Sequence, residues 1–113
     1  MLLIFGPENE FPATGTPEFE AAMQEYFDFS RDAAAAGVMI GGDELDSSVT
    51  ATTVRVRNGT ALLTDGPFIE SKEQLGGYYI VDVPNLDEAI RWAARIPGAK
   101  NGAVEVRPII EHE

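Results

Sequence analysis

Apolar residues recur with helical spacing in only two stretches of this chain, residues 16–36 and 85–96, and short runs with strand character surround both. The order is strand (1–5), helix, strand (38–40), hairpin (49–64), strand (78–83), helix, strand (103–110). Setting the hairpin aside leaves βαββαβ, the split arrangement in which two helices cover one face of an antiparallel sheet. The expectation is an α+β chain with a ferredoxin-like fold, a single domain over residues 1–113 with an inserted β-hairpin. One sheet face stays uncovered in such a fold, so a homodimer closing a cavity between sheets, a dimeric α/β-barrel-like assembly, is the predicted solution.

Local signals set the element ends. Thr16-Pro17 starts the first helix, since threonine caps a first-turn N–H and proline gives up no donor that the helix needs. Gly37 stops it. Phe19, Ala22, Met23, Tyr26, Phe27, Phe29, Ala33, Ala34 and Ala36 gather on one side of this helix, opposite Glu18, Gln24, Glu25, Asp28, Arg31 and Asp32. That apolar side covers about half the circumference, enough to pack a sheet and touch a second subunit. Val38-Met39-Ile40 is a short strand that Gly41-Gly42 is expected to break. Val54 and Val56 alternate with Arg55 and Arg57, and Asn58-Gly59 is a two-residue turn signal because both residues accept positive φ. Asn85, with Glu88 three residues on, caps the second helix, whose Leu86, Ala89, Ile90, Ala93 and Ile96 are expected to face inward. The last strand alternates Val104, Val106 and Pro108 with Glu105 and Arg107.

Charge narrows the partners. Eight basic residues against nineteen acidic ones give a net charge of −11, which disfavours nucleic acid. Residues 1–46 hold ten of the acids and one base, Arg31, so the N-terminal part is the acidic face. It serves solubility or steers a basic partner. The chain has no cysteine, which removes thiolate metal sites, disulfides and thiol nucleophiles and is compatible with a reducing cytosol. The opening Met1-Leu2-Leu3-Ile4-Phe5 lacks a basic leader and reads as a buried strand, so a cytoplasmic protein with no membrane segment is expected.

The densest run of special residues is Asp65 to Gly77. Asp65-Gly66-Pro67 builds a sharp turn from an aspartate that accepts local N–H groups, a glycine that permits positive φ and a proline that fixes the next φ. A carboxylate at a strand end, followed by Glu70, Lys72 and Glu73, is also how a loop presents an acid/base group beside a cation. Both readings of Asp65 stay open. Lys72 is either part of an exposed ion network or a ligand for a substrate carboxylate. Gly76-Gly77 reads as a bulge or close-packing site, because no phosphate-binding glycine pattern surrounds it. The single histidine, His112, sits in the tail, where it completes neither a catalytic triad nor a metal cage. No motif calls for a metal, flavin or nicotinamide cofactor. Ser30 and Tyr26 are polar groups on the apolar side of the first helix: Ser30 bonds the carbonyl four residues back and Tyr26 reaches water, or both line a pocket wall. Arg107 pairs with Glu105 or across the sheet, or else anchors an anion if its face lines a dimer cavity.

The segments Thr53-Val54-Arg55, Thr64-Asp65-Gly66-Pro67-Phe68, Glu70-Ser71-Lys72-Glu73-Gln74-Leu75-Gly76-Gly77-Tyr78 and Val104-Glu105-Val106-Arg107-Pro108-Ile109 resemble the YCII-related family, and more closely its DGPF-domain branch. The similarity runs from the first strand through Pro108. It implies a dimeric ferredoxin-like fold with a cleft, and an activity largely unassigned. The founding branch implies an enzyme-like site with a histidine on the first helix near an aspartate; counting back from Gly37, that position falls on Tyr26. Association with extracytoplasmic-function sigma factors is the second implication, with the acidic surface of Glu18, Glu25, Asp28 and Asp32 facing such a partner.

Two expectations result. In one, a dimer cleft binds a small, anionic molecule, with Asp65 as acid/base or acceptor, Tyr26 as proton donor, Arg107 as anion anchor, and Phe68, Lys72 and Ser30 as further ligand contacts. In the other, the protein is a noncatalytic regulatory partner of a sigma factor.

Overall fold

A computed structural model describes residues 1–112. Its elements are β1 (Leu2–Gly6), α1 (Pro17–Ala35), β2 (Met39–Glu44), β3 (Thr52–Arg57), β4 (Thr60–Asp65), β5 (Gln74–Val81), α2 (Leu86–Ala94) and β6 (Ala103–Val106). Four strands form one sheet in the order β2-β5-β1-β6, every neighbouring pair antiparallel, while β3 and β4 form a separate two-stranded sheet. The fold class is therefore α+β.

The caps act as the sequence predicts. Thr16 Oγ1 accepts from the Phe19 amide at 3.1 Å, and Asn85 Oδ1 accepts from the Glu88 amide at 2.9 Å. Both helices lie on the same face of the four-stranded sheet, because one core joins Phe29 and Ala33 of α1 and Ala93 of α2 to Leu2 and Ile96. Around it pack Ile4, Tyr79, Val81, Val104 and Val106 from the strands. Leu2 faces both Tyr79 and Val106 in register, so alternation places these three on the helix side and puts Leu3, Tyr78 and Glu105 on the other.

Several local expectations are corrected. Gly41-Gly42 does not end β2; the strand runs on to Glu44 with its register shifting between Met39 and Gly41. Gly42 is required there by contact, since a Cβ would lie 2.6 Å from the Tyr78 carbonyl oxygen and 2.7 Å from the Tyr79 ring. β5 begins at Gln74, not Tyr78, and takes in Gly76 and Gly77, which do form the expected bulge and close-packing site: the pairing with β1 slips between Ile4 and Phe5, and a Cβ on Gly77 would lie 3.0 Å from the Asp43 carbonyl oxygen. The strand expected from residue 49 begins at Thr52, because Ser48–Thr50 forms a short turn capped by Ser47. The last strand ends at Val106, and Ile109 and Ile110 lie exposed beyond Pro108, which has no N–H to extend a ladder. Leu86 and Ile90 are exposed, not inward: α2 approaches the sheet through Ala89 and Ala93, whose small side chains bring the helix close, and Trp92 meets Phe29 edge-on at 6.1 Å. Phe27 is likewise outside the core, 60% exposed.

The β3–β4 hairpin stands apart. Its turn residues Asn58 and Gly59 have φ of 52° and 77°, as a type I′ turn requires. Each strand has its main packing partner in the other. The molecule is accordingly flat, 48 × 46 × 18 Å, with a radius of gyration of 16.1 Å, against about 13 Å for a compact domain of this length.

Candidate functional site

A cavity of about 700 Å³ opens between the first half of α1, the loop that follows β1 and the end of β2. Its wall comes from three elements for local reasons. On α1, Tyr26 and Ser30 are four residues apart and share a face. From the sheet, Tyr79 points to the helix side and its hydroxyl stands 3.5 Å from Ser30 Oγ, the outer limit of a hydrogen bond. Gly98, in the turn after α2, makes room: a Cβ there would meet the Tyr26 hydroxyl at 2.8 Å and Ile4 Cγ2 at 2.9 Å. Phe5, Phe11, Met23 and Phe27 supply apolar surface.

Burial raises the Tyr26 pKa above the ordinary 10.0, nearby Tyr79 adds to the shift, and the Gly98 backbone draws it partly back. Tyr26 thus keeps its proton at neutral pH and acts as a hydrogen-bond donor. Six acidic residues, Glu8, Glu10, Glu25, Asp43, Glu44 and Asp46, are among its lining residues, none of which is lysine, arginine or histidine; Asp43 stands opposite Tyr78 in register and turns its carboxylate to the uncovered sheet face. Two are occupied locally. Glu8 accepts from the Ser48 amide and hydroxyl at 2.7 and 2.8 Å, and Asp43 Oδ2 accepts from the Tyr78 hydroxyl at 2.9 Å, which raises the Tyr78 pKa.

Of the residues singled out in the sequence, Tyr26 and Ser30 come together here. Ser30 meets Tyr79, not the carbonyl four residues back. The other four lie outside this cavity. Asp65 is exposed at the end of β4 opposite Thr52, and the turn beside it closes the hairpin: the Gly66 amide donates to the Ala51 carbonyl at 2.7 Å, and Thr53 Oγ1 donates to the Gly66 carbonyl at 2.8 Å. Gly66 has a φ of 98°, so the glycine in this turn is a backbone requirement. Phe68 is exposed, its ring 5.1 Å from the Arg55 guanidinium carbon. Lys72 borders an adjoining groove with Ser48 and Ser71, which shares Pro7, Glu8, Glu10 and Gln74 with the cavity. Arg107 lies just beyond β6, 2.5 Å from Glu105 Oε2, so its pairing with Glu105 is the one realised.

The acidic surface of α1 is partly neutralised within the chain. Asp28 pairs with Arg31 at 3.3 Å, and Asp32 pairs with Arg31 at 3.5 Å and with Arg95 at 2.8 Å. Among the described residues, no group of three or more acidic or histidine side chains is placed to hold a metal ion, and no helix is long and apolar enough to cross a membrane. Sequence reasoning missed Tyr79 and Gly98. The alternation Tyr78-Tyr79 holds a signal for the first, since one of two adjacent strand tyrosines must face the helices; Gly98 looks like a helix stop and nothing more.

The family model for the YCII-related domain matches residues 2–113, and the chain belongs to this family. It is also 34% identical over 110 residues to an uncharacterized protein of Rhizobium meliloti (strain 1021), an alignment spanning 96% of this chain and 89% of that relative.

Proposed function

We propose that this YCII-related domain binds a small organic molecule in the cavity between α1, β2 and the β1 loop, within a homodimer of ferredoxin-like domains. The observation that carries the reading is the convergence of three hydroxyls, from Tyr26, Ser30 and Tyr79, on a cavity of about 700 Å³, a volume within the usual range of ligand sites. The strand order β2-β5-β1-β6 with both helices on one face supports the ferredoxin-like assignment, and the uncovered face bearing Leu3 and Tyr78 supports a second copy.

The charge of the cavity favours a neutral or cationic ligand. A lining rich in acidic residues and without lysine, arginine or histidine creates a negative potential that repels an anion, and Arg107, the expected anion anchor, is off the cavity. Tyr26, with its raised pKa, donates a hydrogen bond to a ligand oxygen or nitrogen. Asp65 stands at the hairpin base and is assigned the turn, not a share in acid/base chemistry with Tyr26. The alternative of a sigma factor docking on α1 is weakened by the ion pairs that engage Asp28 and Asp32.

Native mass spectrometry of the purified protein tests the proposal, with Ala22→Trp as the variant that fills the cavity from its wall. The expected result is a dimer that retains a reproducible small-molecule adduct, lost in Ala22→Trp without loss of the dimer. Identical spectra for the two proteins contradict it.

A further inference from the structure

We propose that the β3–β4 hairpin is an exchanged arm, seated across the acidic cavity of a second copy of this chain, so that each site is completed by its partner. The inference rests on the dimer reading above and specifies the element that makes it.

The arm has no adequate partner at home. A two-stranded hairpin alone is marginal in water, yet Val54, Val56 and Leu63 are 58%, 61% and 69% exposed, and among the described residues each of the two strands has its main packing partner in the other. Val54 pairs with Leu63 and Val56 with Ala61, so these residues form one apolar face, with Arg55 and Arg57 on the opposite one.

Charge selects the occupant. Residues 52–64 carry Arg55 and Arg57 and no acid, in a chain of net charge −11. The cavity is the reverse: Glu8, Glu10, Glu25, Glu44 and Asp46 are among its lining residues, and no base is. Glu10, Glu25 and Glu44 in it take part in none of the ion pairs among the described residues. Exposed Phe11 and Phe27 on the cavity lining offer apolar surface to match Val54, Val56 and Leu63. The arginine stems are long enough to reach around the arm's edge to the carboxylates. A two-fold axis satisfies both copies at once, arm to groove and groove to arm. Two arginines do not neutralise these five acidic residues, so the completed cavity stays negative.

Paired charge reversal tests this. One variant carries Arg55→Glu and Arg57→Glu; the other carries Glu10→Arg and Glu44→Arg. Light scattering over a dilution series should find the wild type dimeric and each variant dissociating at concentrations where the wild type does not. Their one-to-one mixture should regain a dimer containing one copy of each, since both of its arm–groove contacts are then complementary. A second measurement guards against misfolded variants. The chain has no cysteine, so a spin label on Thr60→Cys reports on arm placement in dimers mixed with isotopically labelled wild type. Loss of the wild-type amide signals of Glu10 and residues 42–46 is expected. A wild-type monomer contradicts the dimer reading and the arm with it; variants that dissociate no earlier than the wild type, or undiminished signals around the cavity, overturn the arm exchange alone.

Discussion

Ser30 Oγ and the Tyr79 hydroxyl face each other at 3.5 Å across the junction of α1 and β5. Tyr79 also tilts against Phe29, ring centres 4.9 Å apart, so its ring belongs to the core while its hydroxyl borders the cavity. The long contact contributes little to folding, at most about 0.5 kcal/mol, the low end for an intramolecular hydrogen bond. Tyr79→Phe is therefore expected to leave the urea midpoint nearly unchanged while weakening retention of the cavity adduct. A large stability loss would assign the hydroxyl a structural role instead.

Tyr26 gives the protein an alkaline dependence whose sign follows from burial. Its folded pKa is raised, so the folded state holds the proton more tightly than the unfolded chain, which ionises near the ordinary 10.0. The associated stability is complete below that pH and is lost as pH climbs through the folded value. Urea titrations between neutral pH and pH 11 should show this decline, and Tyr26→Phe should flatten it. Tyr78, raised by its bond to Asp43, acts in the same direction and leaves a residue of the effect.

Gly41 and Gly42 make a paired test of the β2–β5 contact. A Cβ on Gly41 meets nothing within 4 Å, whereas one on Gly42 collides with the backbone and ring of β5. Gly41→Ala should shift stability by no more than about 0.5 kcal/mol, and Gly42→Ala should cost on the order of 2–4 kcal/mol by forcing the strands apart. Thermal unfolding of the two variants side by side measures the difference.

Asp65→Asn should be nearly silent. The residue is exposed, lies off the cavity and keeps its turn geometry through Gly66 and Thr53, so a change within about 0.5 kcal/mol is expected. Adduct retention should match the wild type. Abolished binding with an intact dimer would return Asp65 to the site.

Arg95 ties the two helices, its guanidinium 2.8 Å from Asp32 and stacked 4.6 Å from the Trp92 ring centre. Arg95→Ala should cost about 1 kcal/mol, from a part-exposed ion pair and a cation–π contact. High salt should shrink the difference in chemical denaturation, because the ion pair is screened.

The sequence made the element order, both N-caps, the Asn58-Gly59 turn and the family legible, because these signals are local or carried by motifs. Phe29 and Ala33 could be drawn from helical spacing, but spacing assigned Phe27, Leu86 and Ile90 inward as well, since a wheel has no knowledge of how close a helix sits to its sheet. The site was half legible. Tyr26 and Ser30 stood out as polar groups on an apolar face, whereas Tyr79 and Gly98 join them only through strand register and the path of the turn after α2. Asp65, Phe68, Lys72 and Arg107 drew attention through motif density; in the structure they lie off the cavity lining, beside the hairpin-closing turn, against Arg55, on a neighbouring groove and against Glu105.

The central claim, a hydroxyl-lined cavity that prefers neutral or cationic molecules, is tested most directly by titrating the isotopically labelled protein with phenethylamine and, separately, with phenylacetate, following the amide signals by NMR. The account predicts that the amine shifts the signals of Tyr26, Ser30, Tyr79 and Gly98 and that phenylacetate at the same concentration leaves them in place. Shifts with phenylacetate that centre on Arg107, or none around Tyr26 with the amine, would contradict it.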